Sequence, residues 1–275
     1  MTRHLLSAGL LALALLTLPT APSRAEAPFI VLQSTTSTQS SGLLEAILPI
    51  FQARHGIAVR VVAVGTGQAL KNARNGDGDV LLTHAPAAER RFVAEGHGLR
   101  RHPVMVNDFV LIGPAADPAR LATRDNALAA LRAIAAARAP FVSRGDDSGT
   151  HRREQALWRQ AGLTPDSRSA WYREAGAGMG ATLNIAAGMG AYTLSDRGTW
   201  LAFRNRRDLR LLFAGDPTLE NPYAVIAVNP ARHPHVRVAA ARRFIDWITG
   251  PEGQAAIGAY RLDGEVLFRP AADPR

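Results

Sequence analysis

Cysteine is absent from the 275 residues. That excludes disulfides, a thiolate nucleophile, cysteine-based metal sites and a lipid attached through an N-terminal cysteine, so the core alone must hold the fold. Lysine is nearly absent: Lys71 is the only one among 32 basic residues. The arginines are scattered between acids, and no basic run interleaves with aromatics, which argues against a nucleic-acid surface. The formal net charge is +9, two of it from Arg3 and Arg24 near the N-terminus, and what remains is a mild pull on anions.

Long apolar runs are also missing. Leu5 to Leu18 is about 14 residues, short of the ~20 that span a bilayer. Arg3 and His4 precede it, Pro19 and Pro22 break it, and Ser23-Arg24-Ala25 follows as a small-x-small cleavage pattern. Residues 1–25 therefore read as an export leader cleaved after Ala25. The mature chain is expected in a periplasm, unanchored and monomeric. Its length suffices for one large domain or two lobes.

What is present is alternation of strand and helix. Phe29 to Gln33 reads as a buried strand ending in the hydroxyl run Ser34 to Ser41. A helix follows on Leu43, Leu44, Ile47, Leu48 and Phe51, with Pro49 expected to kink or shorten it and Gly56 to stop it. Ala58 to Val64 is continuous and β-branched, the pattern of a strand covered on both faces, and ends at Gly65-Thr66-Gly67. A strand from Asp79 to Thr83, a helix from Ala87 to Glu95 and a strand from Val104 to Ile112 come next. After Gly113-Pro114 the alternation restarts, with Phe141–Ser143 and Tyr192–Leu194 as strands, and β structure returns at Tyr223 to Val228 before two closing helices. The pattern predicts an α/β fold of two lobes, each a mostly parallel sheet flanked by helices, joined by two crossings. The expected division is 26–113 and 222–275 for the first lobe, 114–221 for the second.

In such sheets ligands gather at the carboxyl ends of strands, where helix N-termini point. Four segments share that placement: Ser34 to Thr38, Gly65-Thr66-Gly67, Arg144 to Thr150 and Gly176 to Gly180. In the third, Arg144, Ser148, Gly149 and Thr150 converge at a helix start, which makes a socket for an oxyanion. The plainer alternative is an ordinary N-cap with Arg144 paired to Asp146 or Asp147. Thr35, Thr36, Ser37 and Thr66 would face Arg144 across a cleft; as plainer alternatives they are a surface loop and a helix cap. The glycine turn is spaced G-x-G-x-G, which is neither a dinucleotide fingerprint nor a P-loop, and Met179 suits core better than ligand. Ser148 and His151 at i, i+3 raise a secreted hydrolase as a remote alternative, without a nucleophile elbow or a third group. His233 and His235 are too few for a metal site, and His84 reads as structural. No metal and no cofactor is expected.

These residues resemble a known family, the tungstate-binding periplasmic proteins of ABC uptake systems. The resemblance runs through Thr35-Thr36-Ser37-Thr38, Ser41-Gly42-Leu43-Leu44, Val64 to Leu70, Asn107-Asp108-Phe109, Ser143 to His151, Gly178-Met179-Gly180, Tyr192-Thr193-Leu194, Asp196 to Thr199 and Asn221-Pro222-Tyr223. It implies a type II periplasmic binding fold that closes on tungstate or molybdate and delivers it to a membrane permease with its ATPase. By position it places Thr35, Thr36, Ser37 and Thr66 on one side, and Arg144, Ser148, Gly149 and Thr150 on the other. Ser34 stands where the family usually has threonine, and Ala175 and Ala177 where tyrosine and glutamine are expected. R-x-D-x-S-G-T, from Arg144 to Thr150, also resembles phosphate-binding proteins. Phosphate rewards a proton acceptor where tungstate does not, so Asp146 turned into the cleft would favour phosphate, and turned onto Arg144 tungstate.

Overall fold

The computed structural model describes residues 28–272, so the leader expected over 1–25 lies outside the described residues. The first half is β1 (Phe29–Thr35), α1 (Thr36–Ser40), α2 (Leu43–His55), β2 (Ala58–Val64), α3 (Thr66–Asn75), β3 (Val80–Thr83), α4 (Pro86–Ala94) and β4 (Gly98–Pro114). Next come α5 (Ala127–Ala136), β5 (Phe141–Ser143), α6 (Gly149–Gln160), β6 (Tyr172–Glu174), α7 (Met179–Met189), β7 (Thr193–Asp196), α8 (Arg197–Ala202) and β8 (Leu209–Phe213). The chain returns through β9 (Glu220–Val228), α9 (Val238–Ile248), α10 (Pro251–Ala259), the hairpin β10 (Arg261–Leu262) and β11 (Glu265–Val266), and β12 (Arg269–Pro270).

β1 pairs in parallel with β2 and β3, and β5 with β6. β9 and β4 are antiparallel to their neighbours, which makes the sheet mixed. β4 organises the molecule. Gly98 to Asp108 pairs with β9, whereas Phe109 to Pro114 pairs with β7 and β8. Val104 and Met105 pack in one core with Ile30, Leu32, Leu44, Phe51, Phe244 and Phe268. Phe109 and Leu111 join a different core, with Leu131, Phe141, Trp158, Tyr172 and Tyr192. Val110 and Ile112, on the opposite face, pack with Met179, Leu183 and Trp200. The chain returns at Leu219, in the second set, and Tyr223, in the first. One strand out and one strand back thus join the two halves, and β4 ends at Gly113-Pro114, as expected.

Two local expectations are corrected. β2 is the sheet's edge and its residues are mostly half-buried, not covered on both faces. Its β-branched run reflects strand propensity rather than double burial. α2 is not shortened at Pro49 and runs on to His55, with Gly56 stopping it as expected. Pro49 lies on the exposed face, where the Glu45 carbonyl it leaves without an N–H partner can be solvated.

Candidate functional site

The turn after β5 is shaped by two left-handed residues, Gly145 (φ +61°) and Asp147 (φ +55°). A Cβ at Gly145 would also lie 2.6 Å from that of Glu174, so only glycine fits. The turn delivers Ser148 as the N-cap of α6, its Oγ accepting the His151 N–H at 3.2 Å. Capping leaves the first N–H groups of α6 pointing out of the helix end, where its dipole is positive. Arg144 folds back over this end, only 5% exposed, and its Nη2 donates to Asp146 Oδ2 at 2.5 Å. The other oxygen of Asp146 accepts the Ser148 N–H at 3.2 Å. Burial pushes the Asp146 carboxyl up, but the Ser148 and Arg144 hydrogen bonds and the guanidinium charge outweigh it and hold it low. Asp146 is therefore an ionised brace bonded to Arg144. Beside it, Arg144 Nε and Thr150 Oγ1 are buried without a hydrogen-bond partner, a costly state for a cation and a hydroxyl.

α3 faces this end. Gly65 starts it in extended conformation with no side-chain cap, leaving the first N–H groups open, and Thr66 is buried. The two helix starts meet at Gly149, where a Cβ would lie 3.1 Å from Thr66 Oγ1 and 2.8 Å from His84 Cε1. At the rim, a Cβ on Gly67 would lie 3.4 Å from Arg152 Nη2, which Asp147 holds at 2.7 Å. The fold therefore brings Thr66, Arg144, Gly149 and Thr150 together.

The loop after β1 is tied mostly inward. Thr35 caps α1 and its Oγ1 meets Ser37 Oγ at 3.1 Å and Thr38 Oγ1 at 2.7 Å. Ser37 Oγ lies 3.1 Å from His84 Nε2. Thr36 is exposed, outside the buried cluster of Thr35, Ser37 and Thr38. It is the first residue of α1, which Thr35 caps. Ser34 is buried on Leu82 O, a structural bond.

Several members of the cluster escaped motif reading. His84 Nδ1 lies 3.0 Å from Asn221 Oδ1, and Asn221 Nδ2 donates to Asn107 Oδ1 at 2.8 Å. Asn107 Nδ2 is buried without a partner. Burial, and secondarily the Arg144 charge, hold His84 down at about 4 against the Asn221 bond, so it is neutral at neutral pH. Asp196 caps α8, accepting from Thr199 N and Oγ1 at 2.9 and 2.7 Å. Burial pushes its carboxyl up, opposed by Thr199 and by Arg144. Asn107, Asp196 and Asn221 do fall in segments that carry the resemblance, but each is far from its partners in sequence.

The remaining candidates resolve simply. Met179 is core, and Gly178 begins α7 with no side-chain cap. His151 Nδ1 accepts the Asp147 N–H at 3.0 Å while Ser148 Oγ bonds backbone, so the two side chains do not form a hydrolase pair. His233 and His235 pin a loop to the carbonyls of Arg74 and Gly76. Among the described residues no group of three or more His, Cys, Asp or Glu could hold a metal ion.

Two α/β lobes joined by two strands, with helix starts closing on one another over a buried guanidinium, make a periplasmic-binding-protein fold of the solute-capturing class. The family described as the PBP superfamily domain matches residues 21–252. A putative ABC transporter anion-binding protein of Haloferax volcanii is 47% identical over 248 residues, 88% of this chain and 72% of that one. The tungstate-binding protein TupA of Peptoclostridium acidaminophilum is 46% identical over 247 residues, 88% and 86% of the two chains. Among solved structures, the tungstate-binding protein TupA from Desulfovibrio alaskensis superposes with a TM-score of 0.82 at 46% identity, over 90% of this chain and all of that one. The chain belongs to the PBP superfamily, in the family of these anion-binding transport proteins.

Proposed function

We propose that this protein is the solute-binding component of an ABC transporter that captures tungstate between its lobes and hands it to a membrane permease with its ATPase. One observation carries the reading. A guanidinium Nε and a threonine hydroxyl, both buried and unpartnered, sit at the start of α6 directly opposite the start of α3. A bare oxyanion would satisfy both helix ends at once. The one carboxylate beside Arg144 in that turn is already engaged as an acceptor, by Arg144 and by the Ser148 N–H. A shell dominated by donors suits an oxyanion carrying no proton, such as tungstate, molybdate or sulfate, more than hydrogen phosphate.

Thr66, Arg144, Gly149 and Thr150 are assigned to the anion. Ser148 is assigned to shaping the helix start, and Thr35 and Ser37 to the wall behind it. Each charge-assisted hydrogen bond is worth about 1.5–3 kcal/mol, yet the sum is cut by desolvation and lobe ordering. Because each lobe supplies part of the shell, the anion favours the closed state. The lobes are assigned as 26–108 with 222–275, and 109–221, the outward crossing set at Asp108–Phe109 by the change of core there instead of at the 113 expected from the sequence. A leader cleaved after Ala25, release into a periplasm and a monomeric state complete the proposal. No helix among the described residues is long and apolar enough to cross a membrane.

The test is a thermal-shift panel of tungstate, molybdate, sulfate and phosphate on the purified mature chain. Tungstate should raise Tm with the logarithm of its concentration above Kd, and phosphate should not. A shift with phosphate alone would overturn the tungstate assignment in favour of phosphate uptake.

A further inference from the structure

His84 is held on every side. Its ring stacks on Tyr223 at 4.8 Å and 28°. Asn221 directs its amide nitrogen to Asn107 Oδ1, so its oxygen receives the proton on His84 Nδ1. That leaves Nε2 to accept the Ser37 hydroxyl proton. The clamp reaches both strands that cross between the cores, since Asn107 lies on β4 just before the crossing and Asn221 at the start of β9. Only the Cε1 edge of the ring remains, and it is turned toward Gly149, the first residue of α6.

Gly149 is not required by its backbone, since it is not among the glycines with a positive φ. Alanine would be a better helix former there. Its smallness is demanded from across the cleft: a Cβ would lie 2.8 Å from His84 Cε1 and 3.1 Å from Thr66 Oγ1. The first contact is with a ring that cannot swing aside without breaking its bonds to Ser37 and Asn221. Thr66 offers the milder contact.

We propose that His84 is the closure stop of the binding cleft, the rigid surface on which Gly149 lands and which sets how near the donor end of α6 comes to the donor end of α3. His84 is thus a positioning residue. It determines the width of the anion shell by limiting lobe approach, and the pairing of a locked ring with a bare glycine makes that width a property of two side chains. The inference rests on the proposed anion capture between the lobes, and goes beyond it in naming what arrests closure.

The experiment compares wild type, Gly149→Ala, His84→Ala and the double variant. Tungstate affinity is measured by titration calorimetry, compaction by small-angle scattering at saturating tungstate, and folding by the Tm of the free chain. Gly149→Ala should keep its free-chain Tm, bind about 100-fold more weakly and remain extended, as overpacking at a contact surface predicts. In the double variant the shortened side chain makes room for the new methyl, and affinity should recover at least about tenfold over Gly149→Ala, with compaction restored. Gly149→Ala binding like wild type, or a folded double variant no tighter than Gly149→Ala, would overturn the stop. If His84→Ala does not fold, His84→Ser takes its place in both proteins, and compaction of Gly149→Ala to the wild-type dimension would by itself refute the proposal. A wild type that ignores tungstate counts against the functional reading alone. The order of the four proteins toward whichever anion the panel selects then decides the stop.

Discussion

Arg144 donates to Asp146 at 2.5 Å, and the same carboxylate receives the N–H of Ser148. The guanidinium is thereby pinned two residues from the helix start it overhangs, with Nε left unpartnered. Arg144→Ala removes the buried guanidinium placed over this helix start. Calorimetry should show tungstate affinity falling by about 1000-fold, the scale of truncating one partner of a buried charge pair. The free chain should melt close to wild type, because Asp146 keeps its bond to the Ser148 N–H and is only partly buried. Unchanged affinity would remove Arg144 from the site.

Ser148→Ala tests the cap separately from the charge. Loss of the bond from His151 N–H to Ser148 Oγ should destabilise α6 by about 1 kcal/mol, a fall in Tm of roughly 2–4 °C for a chain of this size. Binding should weaken because the helix start frays, and differential scanning calorimetry on free and tungstate-loaded protein separates the two effects. Any esterase activity of the wild type that survived in this variant would not belong to Ser148.

The absence of cysteine allows a clean trap of the closed state. A sulfur replacing Thr66 Oγ1 would lie about 3 Å from a Cβ at position 149, the spacing of a disulfide sulfur from the opposite Cβ. Because a Cβ at position 149 would also lie 2.8 Å from His84 Cε1, Thr66→Cys/Gly149→Cys should cross-link under mild oxidation in a His84→Ala background, giving a single species of altered mobility on a non-reducing gel, and far more slowly with His84 in place. Failure to cross-link, with both thiols titratable, would place the helix starts farther apart than described here.

Glu154 supplies the pH dependence. It is buried in α6, accepting from Tyr172 OH at 2.7 Å and Trp158 Nε1 at 3.1 Å. Burial pushes its carboxyl up to about 7, against the hydrogen bonds from Tyr172 and Trp158. A carboxyl raised above its unfolded value favours the folded state while protonated. Its contribution is full below the unfolded value of 4.5 and is lost as pH rises through about 7. Thermal melts should therefore show the wild type losing stability between pH 5 and pH 8 relative to Glu154→Gln. At pH 8 the variant should melt several degrees higher than wild type, on the ~2–4 °C per kcal/mol scale of a chain this long. Parallel curves for the two proteins would show that Glu154 does not titrate in this range.

Much of the fold was legible along the chain because its signals are local. Leu43, Leu44, Ile47 and Phe51 share one helical face and are all buried. Ser148 caps α6 as its residue type and position foretold. The misreadings also have a local cause. Ala58 to Val64 has strand propensity without stating its place in the sheet, and it lies at the edge. Gly113-Pro114 does end β4, but the strand changes cores earlier, at Phe109, and nothing in the local pattern marks that point. Thr36 carries the same hydroxyl as Thr35, yet Thr35 is buried and Thr36 exposed, a difference that residue type alone does not state.

The sequence by itself determined the alternation of strands and helices, the chemistry of the helix starts at Thr66 and Gly149, and the charge of Arg144, because each follows from neighbours within a few residues. Only the tertiary structure decided that Asp146 bonds to Arg144 instead of facing the cleft, and that His84, Asn107 and Asn221 stand in one chain of hydrogen bonds. Those partners are up to 137 residues apart, and nothing in local propensity brings them together. What does so is the packing of two cores around the single strand that both of them share.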